Sequence, residues 1–222
     1  TLGNFTQRKI LEGYESLGVN KLVIRAYPRW NLKASEIKGA KFQEVSTNND
    51  IKPLRRLFPE IVLASPVRRN WVQSIENGGR SFNEGRALGV GEEYFAITNR
   101  RIVLGRPFSA FHVKNNVGVC VIGFEVAQKL FSQVSPLGQV ITLKGNNDAR
   151  FSCRVTGVMG AQSSNNEWFE PNKQILMPET FLKIVGDRWN SHAYEFNIQI
   201  KPGTSIEDLS EKIRKYFHAK YG

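Results

Sequence analysis

Few residues in this chain have the type and spacing to do chemistry. His112, His192 and His218 stand far apart and have no carboxylate or thiol partners at metal-ligand spacing. Neither a zinc cage nor a metal-activated water is expected from them. Cys120 and Cys153 each sit inside an apolar run. A thiol buried in a strand behaves as a small hydrophobe and is usually inert as a nucleophile. Two thiols in an oxidising compartment can instead pair as a disulfide, and the sequence leaves both readings open. Ser74 and Ser163-Ser164 have no G-x-S-x-G context. Gly89-Val90-Gly91 lacks the third glycine of a dinucleotide fingerprint, and there is no phosphate-binding loop. Glu92-Glu93, and Glu167 with Glu170, are the carboxylate pairs on offer for acid–base work, and solvated loop charge is the simpler account of both. Asn4-Phe5-Thr6 fits a glycosylation sequon by its letters only. The chain therefore reads as a non-enzyme, without catalytic, cofactor or metal residues.

What remains is architecture. The chain has 222 residues, 41% hydrophobic and 23% charged, enough for one large domain or two small ones with a buried core. No apolar run approaches the ~18–20 residues that cross a bilayer. The net charge of +11 favours anionic surroundings. The basic pairs Arg55-Arg56, Arg68-Arg69 and Arg100-Arg101 are scattered, however, and no nucleic-acid-binding signature is present.

The apolar spacing predicts a helix over 5–17, with Ile10, Leu11, Tyr14 and Leu17 on one face, and a strand over 21–27. Residues 29–49 read as a polar loop. Asp50 is expected to cap a short helix carrying Ile51, Leu54, Leu57 and Phe58, and a strand follows over 61–68. Strand–helix–strand order favours neighbouring parallel strands for 21–27 and 61–68. Asn77-Gly78 signals a tight hairpin, and residues 92–99 a helical turn. Between 102 and 158 come strands at 117–122, 140–143 and 151–158 and a helix at 124–131. A polar loop spans 161–170. A strand at 175–178, a helix at 179–185, an alternating strand at 194–201 and a helix at 205–217 complete the chain. Ser205 and Asp208 are spaced as a capping box for that last helix.

The order of these pieces resembles the MacB-like periplasmic core domain. The residues that carry the resemblance are Gly105, Arg106 and Phe108; then Val119, Val121, Ile122, Gly123, Val126, Ala127, Leu130 and Phe131. They continue with Pro136, Leu137, Gly138, Gln139, Ile141, Leu143 and Gly145, and close with Phe151, Val155, Gly157 and Val158. Leu17, Gly18 and Asn20 fit the family's opening, and Gly89, Val90, Tyr94 and Phe95 fit its G-V-x-x-x-Y-F step. Cys120 and Cys153 depart from the family pattern, which has aliphatic residues there.

The resemblance implies an α+β fold of two subdomains. Residues 1–104 with 190–222 would form a porter-like, membrane-proximal unit, and residues 105–189 an inserted, mainly β, Sabre-like one. Thr1 and Gly222 would lie at one pole, next to transmembrane helices of the same permease, and the inserted part at the other. The implied function is that of the periplasmic domain of an ABC transporter permease of the MacB/FtsX class. Such a domain is non-catalytic, with ATP hydrolysis on a separate cytoplasmic domain. It works in a homodimer and passes motion to a periplasmic adaptor (a membrane fusion protein), an outer-membrane channel or cargo. Nucleic acid is not among the implied partners. The alternative reading is a basic soluble module that binds anionic lipid or polymer. Because no phosphate loop is present, ATP should leave the thermal midpoint of the isolated chain unchanged, and a concentration-dependent rise would contradict this.

Overall fold

A computed structural model describes residues 20–25, 50–145, 149–163, 170–186 and 193–221. The expected helix at 5–17, the loop at 29–49, the end of the 21–27 strand, and Thr1 and Gly222 lie outside the described residues. Contacts divide the chain into two compact units, Thr1–Pro66 with Tyr194–Gly222, and Val67–Ala193.

In the first unit, β1 (Lys21–Arg25) pairs antiparallel with β11 (Ala193–Ile200), Leu22 facing Ile198 and Ile24 facing Phe196. On its other side β11 neighbours β2 (Ile61–Trp71), whose length runs through the unit boundary. β1 and β2 are thus not neighbours as expected, because β11, distant in sequence, takes the place between them. Phe196, Ile198 and Ile200 alternate into the core as their period of two requires. The long α6 (Ile206–Tyr221) buries Leu209 and Ile213 and stacks Phe217 on Phe196, ring centroids 5.7 Å apart. The backbone N–H of Asp208 donates to Ser205 Oγ at 3.2 Å, which caps this helix.

The short helix α1 (Lys52–Leu57) corrects one expectation. Asp50 is fully buried, and its carboxylate accepts a 2.9 Å hydrogen bond from Lys220 on α6, while Ile51 holds the N-cap position without a side-chain cap. Leu57 is 56% exposed. Residues three apart drift around a 3.6-residue helix, so Leu57 lies about 120° from Ile51 on the wheel, and Leu54 alone of α1 is buried.

The second unit is a mixed sheet in the order β2-β5-β10-β7-β9-β8-β3-β4. Its strands are β3 (Ser74–Asn77), β4 (Arg80–Phe82), β5 (Arg86–Val90), β7 (Val119–Ile122), β8 (Val140–Lys144), β9 (Arg150–Met159) and β10 (Gln174–Pro178). β6 (Ile102–Gly105) pairs with the far end of β9. The sheet is covered on both faces, which is why β5, β7 and β10 read as continuous apolar runs. Cys120, Ile122, Ile175 and Met177 face one core, closed by Val126 and Leu130 of α4 (Phe124–Leu130) and Leu182 of α5 (Glu179–Gly186). Val119, Val121 and Leu176 face the other, closed by Tyr94 and Phe95 of α2 (Tyr94–Ile97) and by Phe108.

Residues 67–104 belong to this second unit, whereas the sequence assigned them to the unit built from the chain ends. The reason is pairing at long range: β5 runs parallel to β10, and the β3–β4 hairpin extends the sheet through β8. The hairpin turn sits at Gly78-Gly79, φ +54° and +82°, one residue later than the Asn-Gly signal. A further helix, α3 (Ala110–Lys114), is too short to show periodicity.

Gly105 ends β6 with φ +73°, and a Cβ there would lie 2.2 Å from the Thr156 carbonyl oxygen. Gly138 shares the positive φ, +78°, but has open space around it. Gly105→Ala should therefore cost about 2–3 kcal/mol and lower the melting temperature by roughly 5–10 °C. Gly138→Ala should cost only about 1–2 kcal/mol, the backbone penalty alone. Equal shifts for the two in thermal melts would show that the close approach is not what holds Gly105.

Candidate functional site

The polar groups that the fold buries act as fasteners. Arg68 on β2 is completely buried and faces Glu179 in the first turn of α5, Nη2 to Oε1 3.6 Å. A carboxylate at a helix N-terminus is also favoured by the helix dipole. Arg100 donates to Gln162 Oε1 at 2.8 Å and to Gln174 Oε1 at 2.9 Å, tying the chain after α2 to the start of β10. On the surface, Lys173 bonds both Glu84 and Glu170, and Arg86 stands 3.9 Å from Glu170 and 4.8 Å above the Trp71 ring. The hydrogen bond and charge of Lys173 hold the Glu84 carboxyl below its usual range, and the two carboxylates raise the Lys173 ammonium in turn. Sequence reasoning missed these groups, although an arginine placed in phase with the inward residues of β2 was the available signal for Arg68.

Among the described residues, the histidines, serines and glutamates with chemical potential are not brought together. His112 packs over its own helix start, where the Ser109 backbone N–H donates to Nδ1 at 3.1 Å. His192 lies outside the described residues, as do Ser164 and Glu167. Ser74 donates to the Glu76 carboxylate at 2.9 Å rather than to a histidine. Glu92 is exposed, and Glu93 begins α2. Among the described residues no group of three or more metal-ligating side chains occurs, and no helix is long and apolar enough to cross a membrane. The recess beside the β3–β4 hairpin is lined by polar groups that serve the hairpin itself, as when Asn77 Nδ2 donates to Val140 O at 2.8 Å.

The two thiols do meet. Cys120 and Cys153 are free, almost completely solvent-excluded and share one core. Cys120 is opposite Val155 in the parallel β7–β9 pair, so Cys153 is its diagonal neighbour. Diagonal Cα atoms in a sheet are about 7–8 Å apart, wider than the ~4.4–6.8 Å that a disulfide spans. Burial pushes the Cys120 thiol well above its ordinary value, and the hydrogen bond with Cys153 adds to the shift.

The glycine- and aromatic-marked segments, by contrast, converge. Phe95 packs edge-to-face on Phe108, centroids 5.0 Å apart. Gly105 and Arg106 lie against Thr156 and Gly157, the Arg106 N–H donating to Thr156 O at 2.9 Å. A Cβ on Gly123 would meet the Asn172 carbonyl at 2.2 Å, so the turn into α4 also demands glycine. These contacts are structural, and all lie within the second unit. The model of the MacB-like periplasmic core domain family matches residues 1–216.

The chain belongs to this family.

Relatives of the MacB-like domain include the macrolide export ATP-binding/permease protein MacB of Neisseria gonorrhoeae, 27% identical over the whole of this chain and 32% of that protein. Another, of Rhodopirellula baltica, bears the same name and is 26% identical over 79% of this chain and 24% of its own length. The chain spans about a third of the length of the first of these relatives. Among solved structures, the periplasmic region of MacB from Actinobacillus actinomycetemcomitans superposes with a TM-score of 0.69 at 18% identity, covering 96% of this chain and 90% of that one. The extracellular domain of the transporter YknZ from Gram-positive bacteria gives 0.69 at 15% identity, with 91% and 95% covered. The fold is therefore the mixed α+β fold of these domains.

Native protein at neutral pH should leave both thiols unreacted with an aromatic disulfide reagent, and unfolding should release two. Burial raises the folded-state value of Cys120 above that of the unfolded chain. Its contribution to stability is therefore complete below about pH 8.5 and declines as the pH rises beyond that. Fast titration of either thiol in the native state would contradict the placement.

Proposed function

We propose that this domain is the periplasmic part of an ABC transporter permease of the MacB/FtsX class, on the extracytoplasmic side of the inner membrane. The family match over residues 1–216 carries this reading. The domain is non-catalytic, and ATP is hydrolysed on a separate cytoplasmic nucleotide-binding domain. The first unit sits next to the transmembrane helices. The transporter works as a homodimer, and the second unit meets a periplasmic adaptor, an outer-membrane channel or the cargo itself.

The mechanism is transmission of motion. The α6 helix serves as the lever, since at 16 residues it is the longest of the described helices. Leu209 and Ile213 are buried, and Phe217 is stacked on Phe196 of β11. β11 in turn is hydrogen-bonded along its length to β1. A packed core deforms in discrete steps rather than continuously, so displacement of α6 is passed to the sheet instead of being absorbed.

In the full-length transporter, Phe217→Ala should slow export by roughly threefold to tenfold while ATP hydrolysis stays within about twofold, and Phe217→Leu should restore most of the loss. Equal loss of hydrolysis and export, or loss of neither, would sink the coupling role.

A further inference from the structure

Cys120 and Cys153 are reactive groups that the fold does bring together. Aliphatic residues fill both positions in the family pattern, so packing does not require sulfur at either. Both thiols are free and solvent-excluded, and they hydrogen-bond each other. Around them, in the same core, stand Ile122, Val126, Ile141, Val155 and the thioether of Met177. Among the described residues no imidazole or carboxylate joins the two thiols in a metal-ligating group.

Their spacing selects among the things that two thiols can do. A disulfide draws its sulfurs to ~2.05 Å and needs closer Cα atoms than diagonal neighbours in a sheet provide. A metal ion between two thiol sulfurs, with bonds of roughly 2.3 Å each, holds them up to about 4.6 Å apart. Such a bridge suits a diagonal pair. The backbone can also yield at this point. The β7–β9 register shifts between Cys120 and Val121, whose partners are Val155 and Gly157, so Thr156 is passed over. A bulge interrupts strand pairing and re-aims the side chains beside it.

Charge then decides which ion fits. An apolar core excludes net charge. Zinc in a structural site asks for four ligands. Soft sulfur donors select copper(I), which accepts two of them. As the ion enters, one S–H bond breaks and one metal–thiolate bond forms. The second thiol gives a lone pair from its sulfur, and one proton leaves to solvent. No electron is transferred. The charge of the ion replaces that of the proton, so the core stays neutral.

We propose that Cys120 and Cys153 form a buried two-sulfur site for a soft monovalent cation, copper(I). The site belongs to the second unit alone and does not depend on the permease reading. A bare ion can reach it through local opening of the strands, whereas a bulky aromatic reagent cannot.

The test uses the 222-residue chain under anaerobic conditions, copper(I), and a chromogenic copper(I) chelator as competitor. The parent chain should keep one equivalent of copper(I) against the chelator and melt at a higher temperature when loaded. X-ray absorption of the loaded chain should show two sulfur neighbours at the metal, with no nitrogen or oxygen. Cys120→Val and Cys153→Val restore the aliphatic character of the family pattern, and circular dichroism and melting verify that each folds. Cys120→Ala and Cys153→Ala take their place if valine overfills the core. Each single variant should hold copper(I) at least about a hundredfold more weakly than the parent. Zinc(II) at the same concentration should leave the melting temperature unchanged.

Complete loss of copper(I) from the parent to the chelator would overturn the proposal. So would retention by either single variant, a nitrogen or oxygen neighbour at the metal, or equal stabilisation by zinc(II), since these mark adventitious binding elsewhere on the chain. The Phe217 experiment is independent of all these outcomes.

Discussion

At Gly157 the backbone of β9 comes so close to the chain leaving β6 that an added Cβ would lie 2.7 Å from the Arg106 carbonyl oxygen, and at Gly105 the approach to Thr156 is closer still. This contact lets one strand serve three neighbours. Along its first half β9 pairs with β8, and along its second half with β6 on that same edge, while β7 runs parallel on the opposite edge. Phe151, Cys153 and Val155 then point into one core, with Ser152 and Arg154 outward. Beyond Gly157 both faces are covered and the alternation ends. The register of β7, and through it the positions of β10 and β5, depends on that pairing.

Much of this was legible in the sequence, and the reason differs by element. The apolar runs of β7 and β10 reveal strands because both sheet faces are covered, so every residue has to be apolar. The period of two in β11 shows directly in Phe196, Ile198 and Ile200. The family resemblance rests on Gly105, Gly123 and Gly157, where backbone meets backbone, and on Phe95 and Phe108, which touch. Such positions tolerate little substitution for steric reasons, so they survive as readable marks.

Illegible features depend on partners far along the chain. β11 between β1 and β2, and residues 67–104 in the second unit, follow from hydrogen bonds between segments that no local period reports. Asp50 was misread as a helix cap because its partner, Lys220, stands 170 residues along the chain. Of the candidate site, the apolar settings of Cys120 and Cys153 were legible, because each stands within an apolar run. Buried Arg68 and Arg100 are fasteners, and each is recognised only when its carboxylate or amide partner, Glu179 or Gln174, is seen across the fold.

The position of β10 has a consequence in time rather than in space. It is the last strand of the second unit to be made, yet it lies in the middle, parallel to β5 on one side and antiparallel to β7 on the other. Until Gln174–Pro178 has emerged, β5 and β7 each keep an unpaired edge, and such edges invite pairing with other chains. Closure of the sheet also awaits contacts of high sequence separation, whose loop entropy slows folding. The unit therefore assembles late and at once, by insertion of its central strand, and its nascent chain is most prone to association just before that step.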